Sequence, residues 1–254
     1  MGSWSLMDDA CYNGGLVSGD TPIGYSAYEK SFMGWIDLIT PEDNTQYVLP
    51  VFNSKNLDDD KALKITALNE NEYWILENRH QQGWDEFIPG DGVLITHFTY
   101  VKARWDDNTV NNYNVQLATV VPADNMLSRI SESADLYGNA NHEFSDITVP
   151  AMTANMRANG SLSSIPGGAG VVKDKRVTEI ILNDDGSASL WYNKVVLGDV
   201  SGDGIVDVED VNAAINIILR LNTIDNYPGC CDLDGNGIVD VEDVNAIINI
   251  ILKL

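Results

Sequence analysis

Two stretches near the end of the chain concentrate oxygen-bearing side chains at a spacing that suits a hard divalent cation. In the first, Asp199, Ser201, Asp203, the carbonyl of Ile205, Asp207 and Asp210 fall at positions one, three, five, seven, nine and twelve of a twelve-residue loop. In the second, the same places go to Asp232, Asp234, Asn236, the carbonyl of Ile238, Asp240 and Asp243. Calcium takes six to eight oxygens, and such a loop wraps them around it when a glycine at position six allows the sharp turn. Gly204 and Gly237 stand there. The pattern predicts two calcium ions, one in each loop. Asp, Asn and Gly also dominate ordinary turns, so one such loop would be a weak signal. Two loops 33 residues apart, each entering the same apolar pattern, form a much stronger one.

The elements that must position these loops are helices. VEDVNAAINIILRL follows the first from Val208, and VEDVNAIINIILKL follows the second from Val241. Valine, isoleucine and leucine recur there at helical spacing. Position twelve of a helical calcium loop is ordinarily a bidentate Glu; here it is Asp210 and Asp243, one methylene shorter. Neither loop has room before it for a full entering helix.

These repeats resemble the dockerin module of cellulosome-type assemblies, which is built from two loop-helix units with Asp at position twelve. The resemblance covers about the last sixty residues, 196–254. It implies a small all-α, EF-hand-like module that binds calcium and docks onto a cohesin-type scaffold protein. The partner-facing positions it implies are Val208, Glu209, Ile215, Asn216 and Arg220 in the first repeat. In the second they are Val241, Glu242, Ile248, Asn249 and Lys253. The two sets differ only in Arg against Lys, so near two-fold symmetry and docking in either of two orientations follow. The plainer alternative is that calcium merely folds the tail and these side chains pack within it, since apolar residues at helical spacing are more often core.

The bulk composition narrows the partners. With 38 Asp and Glu against 15 Lys and Arg, the net charge is -23, which argues against nucleic acid, because a phosphate backbone calls for Lys and Arg opposite it. Residues 196–254 carry eleven acids against Arg220 and Lys253, a net of -9. Bound calcium would offset part of that repulsion. Three cysteines, Cys11, Cys230 and Cys231, cannot build a rich disulfide framework, and the adjacent pair is poorly placed to bridge to itself. No apolar run approaches the roughly twenty residues that span a bilayer. The opening MGSWSLMDDA lacks the basic start and apolar middle of a signal peptide. Millimolar extracellular calcium would saturate even weak loops. The expectation is therefore an extracellular or cell-surface protein whose export signal lies outside these residues.

The body of the chain is β-rich. Residues 22–36 predict a short amphipathic helix, capped by Ser26, with Tyr28, Phe32 and Trp35 on one face. Strands are predicted at 72–78, 92–100, 115–121, 177–182 and 188–192, where β-branched and aromatic residues cluster between turn residues. Asn183 to Gly186 (NDDG) reads as a hairpin loop, and Ser161 to Gly170 as a mobile loop. The fold expected is mixed: a β-rich, sandwich-like central domain at 41–195 after a short helical segment at 1–40, then the small helical calcium module at 196–254.

WSLMDDACYN from Trp4, TPIGYSAYEKSFMGW from Thr21, EYWILENRHQQGWDEFIPGDGVLITH from Glu72 and WDDNTVN from Trp105 form an ordered series. Together they resemble the immune inhibitor A family of secreted zinc metallopeptidases, in the part that follows the zinc-binding helix. The likeness runs from about residue 2 to residue 195. It implies that residues 1–40 end a catalytic domain, that Met7 makes the hydrophobic turn beneath the metal, and that a longer parent cleaves protein substrates. Zinc hydrolysis needs three protein ligands, an open position and a Glu to activate water. This chain has no HExxH. Its histidines are His80, His97 and His142; the nearest string, His142-Glu143-Phe144-Ser145-Asp146, has Asp where the second His belongs. His97, on a strand, is expected to be a structural or surface histidine, and His80 solvent-facing. No catalytic residue is expected here, and zinc would belong only to a longer parent.

Other chemistry is thinner. There is no GxSxG elbow and no phosphate loop. Glu77, Asp85 and Glu86 could be imagined as a glycosidase pair, but acids among aromatics usually form a solvated face. Two functional readings remain: the C-terminal part of a dockerin-bearing metallopeptidase, inactive alone, or a non-catalytic extracellular binding protein for carbohydrate or protein, anchored by its dockerin. Trp84, Trp105 and Trp191 could stack on sugars in the second reading, although large aromatics are more often core.

Overall fold

The structure, a computed structural model, describes residues 1–56, 60–221 and 231–253. They fall into two compact units, Met1–Asn193 and Lys194–Leu254. The architecture is mixed, with three β-sheets and four α-helices among the described residues and no barrel.

The first unit carries the strands β1 (Thr45–Leu49), β2 (Ala62–Thr66), β3 (Glu72–Arg79), β4 (Gly92–Thr99), β5 (Ala118–Val120), β6 (Thr153–Ala154), β7 (Gly170–Val171), β8 (Val177–Leu182) and β9 (Ala188–Tyr192). One sheet runs β2-β3-β4-β5, a second β1-β9-β8, and β6 pairs with β7, all antiparallel. The five strands expected from the sequence coincide with β3, β4, β5, β8 and β9, β5 being shorter. The turn from Asn183 closes as expected, with Gly186 N–H donating to the Asn183 carbonyl at 2.9 Å. β1, β2, β6 and β7 lie outside those expectations.

β3 and β4 are covered on both faces, which is why they read as near-continuous apolar runs. Successive side chains of a strand point to opposite faces. Trp74, Leu76, Val93 and Ile95 therefore enter one cluster with Leu49, Val177, Ile180 and Leu190 of the second sheet. Ile75 and Phe98 turn the other way, onto Ala27 and Phe52, and Leu94 meets Trp4, Ile23 and Leu136. Along the outer side of β2, Ile39 forms a parallel bridge to Leu63, its N–H donating to the Ala62 carbonyl at 2.9 Å.

Polar groups stitch these layers. Glu72 is fully buried and accepts from the backbone N–H of Asn155 (2.6 Å) and Met156 (2.8 Å), from Thr99 Oγ1 (3.1 Å), and faces His97 Nε2 at 2.8 Å. Arg79, equally buried, donates to Glu77 at 2.8 Å and to Asp85 at 2.8 Å. Glu77 in turn accepts from Ala27 N–H, and Asp85 accepts from Gly24 N–H (2.9 Å) and Asn53 Nδ2 (3.0 Å). Burial raises the Glu77 carboxyl above its usual range, while Arg79 opposes that shift. Burial alone would lower the Arg79 guanidinium, but Asp85 and then Glu77 raise it overall.

The helix expected at 22–36 is α1 (Ala27–Phe32), only six residues long. Ser26 caps it in a capping box with Glu29, the reciprocal pairing that satisfies two free helix-end donors. Tyr28 stacks on Phe98 at 4.2 Å, but Phe32 is largely exposed and Trp35 lies beyond the helix end, against Tyr25. A second short helix, α2 (Lys102–Asp106), follows β4.

In the second unit, α3 (Val208–Ile218) and α4 (Val241–Leu252) pack on one another. Their core is Val200, Ala213, Ala214, Cys231, Val244 and Ile247. Cys11 is a free thiol and Cys231 is buried in the tail core; Cys230 lies outside the described residues. No helix among the described residues is long and apolar enough to cross a membrane.

Candidate calcium-binding tail

Each loop of the tail closes on its own position-twelve aspartate. Asp210 is fully buried, its Oδ1 accepting from Ser201 N–H at 2.8 Å and its Oδ2 from Asp207 N–H at 2.7 Å. Asp243 is buried alike, accepting from Leu233 N–H at 2.7 Å and Asp240 N–H at 2.9 Å. The carboxylate at the start of the helix thus reaches back to both ends of the loop.

Position one works from the other side. Asp199 accepts from Gly202 and Gly204 N–H, both at 2.7 Å, and Asp232 accepts from Asn236 N–H at 3.0 Å and Gly237 N–H at 2.7 Å. Gly204 and Gly237 have φ of 83° and 86°, the left-handed region that glycine enters without steric cost. Asp207 and Asp240 do a second job as helix N-caps, accepting from Glu209 N–H at 2.7 Å and Glu242 N–H at 2.8 Å. That role follows from an acid three residues before another acid, a variant of the capping box.

The two loops differ electrostatically. Burial raises the Asp199 carboxyl, against the pull of the Gly204 and Gly202 amides and with the charges of Asp210 and Asp203 adding to it. Asp232 is instead lowered, chiefly by the Gly237 amide. Oxygens of Asp232, Asp234 and Asp243 all lie within 4.8 Å of one another. An all-oxygen set so close together fits a hard cation such as calcium.

The expected partner-facing residues are not presented alike. Val208 and Val241 are 65% and 63% exposed, and Glu209 and Glu242 are exposed beside them. Ile215 stands 38% exposed and Asn216 is half-buried, whereas Ile248 packs against the tail core and Asn249 is exposed. Arg220 and Lys253 are exposed and close their helices at φ 58° and 54°.

Met7, the residue expected at the turn beneath a metal in a longer parent, is 83% exposed; the neighbouring Trp4 is buried, its Nε1 donating to Asp135 at 2.9 Å. His97 faces Glu72 and stacks on Trp74, so it is structural. His80 is partly exposed and pairs with Asp91 at 3.3 Å, and His142 Nδ1 lies 2.8 Å from the Ile180 carbonyl. Each histidine is thus engaged separately, and these residues do not fit a zinc site. Glu77 and Asp85 are no solvated face, because both are sealed around Arg79; Glu86 is exposed. Trp84 is 63% exposed, not core, while Trp105 and Trp191 are half-buried.

Searches of protein-family models, of curated proteins and of solved structures find nothing that matches this chain.

Proposed function

We propose that residues 196–254 are a dockerin-type module that binds two calcium ions and docks onto a cohesin-type scaffold outside the cell. On the same reading, residues 1–40 and the sandwich-like 41–195 are the C-terminal part of a secreted zinc metallopeptidase of the immune inhibitor A kind. The observation that carries the first part is the matched pair of loops, each tied at both ends by a buried Asp210 or Asp243 carboxylate. Calcium, when bound, supplies positive charge to a segment of net -9 and couples metal binding to folding. The chain's own part is to hold the oxygens of each loop together, cap each helix, and present Val208, Glu209, Val241 and Glu242 to solvent. The test is a calorimetric calcium titration of the full chain, followed by binding to a panel of cohesin domains. Two sites, with both activities lost in Asp210→Ala/Asp243→Ala, are expected; a flat titration ends the reading.

A second reading is favoured by the separate engagement of His80, His97 and His142. It makes the chain a non-catalytic extracellular binding protein, anchored by its dockerin, for a carbohydrate or protein ligand. Sequencing the coding DNA upstream of Met1 separates the two: an in-frame HExxH supports the peptidase, and a stop codon directly upstream supports the binding protein.

A further inference from the structure

Beside α2, a cavity of about 380 Å³ opens between the loop after that helix and the loop after β6. Its one charged lining side chain is Arg104, whose guanidinium lies 3.4 Å over the Tyr113 ring. Arg104 forms no ion pair with any carboxylate among the described residues; the neighbouring Asp106 is taken by Lys102 at 2.7 Å. In a chain of net charge -23, Arg104 thus presents a guanidinium held against an aromatic ring and not taken up by a carboxylate. Stacking fixes the plane of the fork, which lowers the entropic cost of engaging an anion. A planar guanidinium matches a carboxylate with two parallel N–H donors.

The rest of the lining is neutral. Asn112, Asn114 and Ser164 are exposed and bring amides and a hydroxyl to the cavity, and Leu117 gives it a buried apolar floor. Amides and hydroxyls both donate and accept, which suits ring hydroxyls that do the same. The volume is at the small end of the roughly 300–1,000 Å³ range of ligand sites, enough for a single ring unit but not for an extended chain.

We infer that this cavity binds a uronic-acid unit of an acidic glycan, its carboxylate on Arg104 and its hydroxyls on Asn112, Asn114 and Ser164. The protein's overall negative charge does not forbid this, because charges more than about 8 Å away are largely screened at physiological ionic strength. A peptide C-terminus shares the carboxylate, but it uses few of the neutral hydrogen-bonding groups. The site stands independently of the calcium loops.

The test is ligand-observed NMR on the full chain at constant calcium, with methyl β-D-glucuronoside, methyl β-D-glucoside and an acetylated dipeptide with a free carboxylate. The glucuronoside should bind about ten-fold or more tightly than the glucoside, since hydrogen bonds to charged groups are the stronger kind. Arg104→Gln should remove that preference by the same factor, and Asn114→Ala should weaken binding of both sugars while circular dichroism stays unchanged. Should Arg104→Gln disturb α2, the exposed Asn114→Ala variant decides. No binding by about 10 mM, equal binding of the two sugars, tighter binding of the dipeptide, or wild-type affinity in both variants overturns the assignment.

Discussion

Arg79 donates to the Asp85 carboxylate at 2.8 Å with both side chains wholly removed from solvent. Asp85 also holds Gly24 N–H and Asn53 Nδ2, so it joins the chain before α1, the segment after β1 and the end of β3. Breaking a buried ionic network is costly: without Asp85, Arg79 is left with Glu77 alone, and the Gly24 N–H and Asn53 Nδ2 lose their acceptor. Asp85→Ala is expected to cost about 3–5 kcal/mol, read from urea unfolding followed by tryptophan fluorescence. A loss under about 1 kcal/mol would put this pair in the class of surface ion pairs.

Glu72 makes a different forecast, because its two oxygens meet only hydrogen-bond donors from Asn155, Met156 and Thr99, with His97 facing them. Glu72→Gln keeps the shape but turns an NH2 group toward a backbone N–H. The expected loss is about 2 kcal/mol, with amide exchange accelerating first at Asn155 and Met156. Unchanged protection there would refute the stitch between β3 and β6.

Asp135 gives a pH dependence. Its carboxyl is pushed up to about 6, first by burial and then by the charges of Asp124 and Glu132, against the Trp4 hydrogen bond. The folded state holds a proton that the unfolded chain releases near the ordinary value of 3.8. Stability therefore falls as pH rises from there through about 6, and the full cost is present above it. Asp135→Asn keeps an acceptor for Trp4 and removes the buried charge. Its melting temperature should match wild type near pH 4 and exceed it by roughly 2–4 °C at pH 8, the shift worth about 1 kcal/mol in a domain of this size. A difference independent of pH would contradict the assignment.

Removing calcium should act locally. With a chelator, the helical ellipticity of α3 and α4 should fall while the β signal of the first unit persists, because loop oxygens left without a cation repel one another. Asp210→Ala/Asp243→Ala should show that lowered ellipticity with calcium present. Ellipticity indifferent to chelator would remove calcium from the account.

How much of this was legible in the sequence depends on where each residue finds its partners. The paired acidic loops before α3 and α4 were legible as repeated loop-helix units because their carboxylates sit on one short segment and occur twice. β3 and β4 were legible because coverage on both faces fills Tyr73–Leu76 and Val93–Ile95 with consecutive apolar residues. β1 and β2 were not: Thr45–Leu49 alternates exposed and half-buried residues between Pro41 and Pro50, and Ala62–Thr66 carries a lysine at its centre. Glu77 and Arg79 alternate in sequence as an exposed strand edge would, and only Asp85, Ala27 and Gly24, brought from other elements, make that position an interior. The exposure of Met7 and Trp84 and the half-burial of Ile248 depend on neighbours that no local pattern names.

The bridge from Ile39 to β2 bears on how this protein behaves in company. An open strand edge is a template on which another chain can extend a sheet. Ile39 N–H and its carbonyl are already spent on Ala62 and Lys64, and Phe144 occupies Val177 on β8 in the same fashion. At these places a passing strand meets a filled ladder, which protects against runaway edge-to-edge aggregation even when many copies are crowded together.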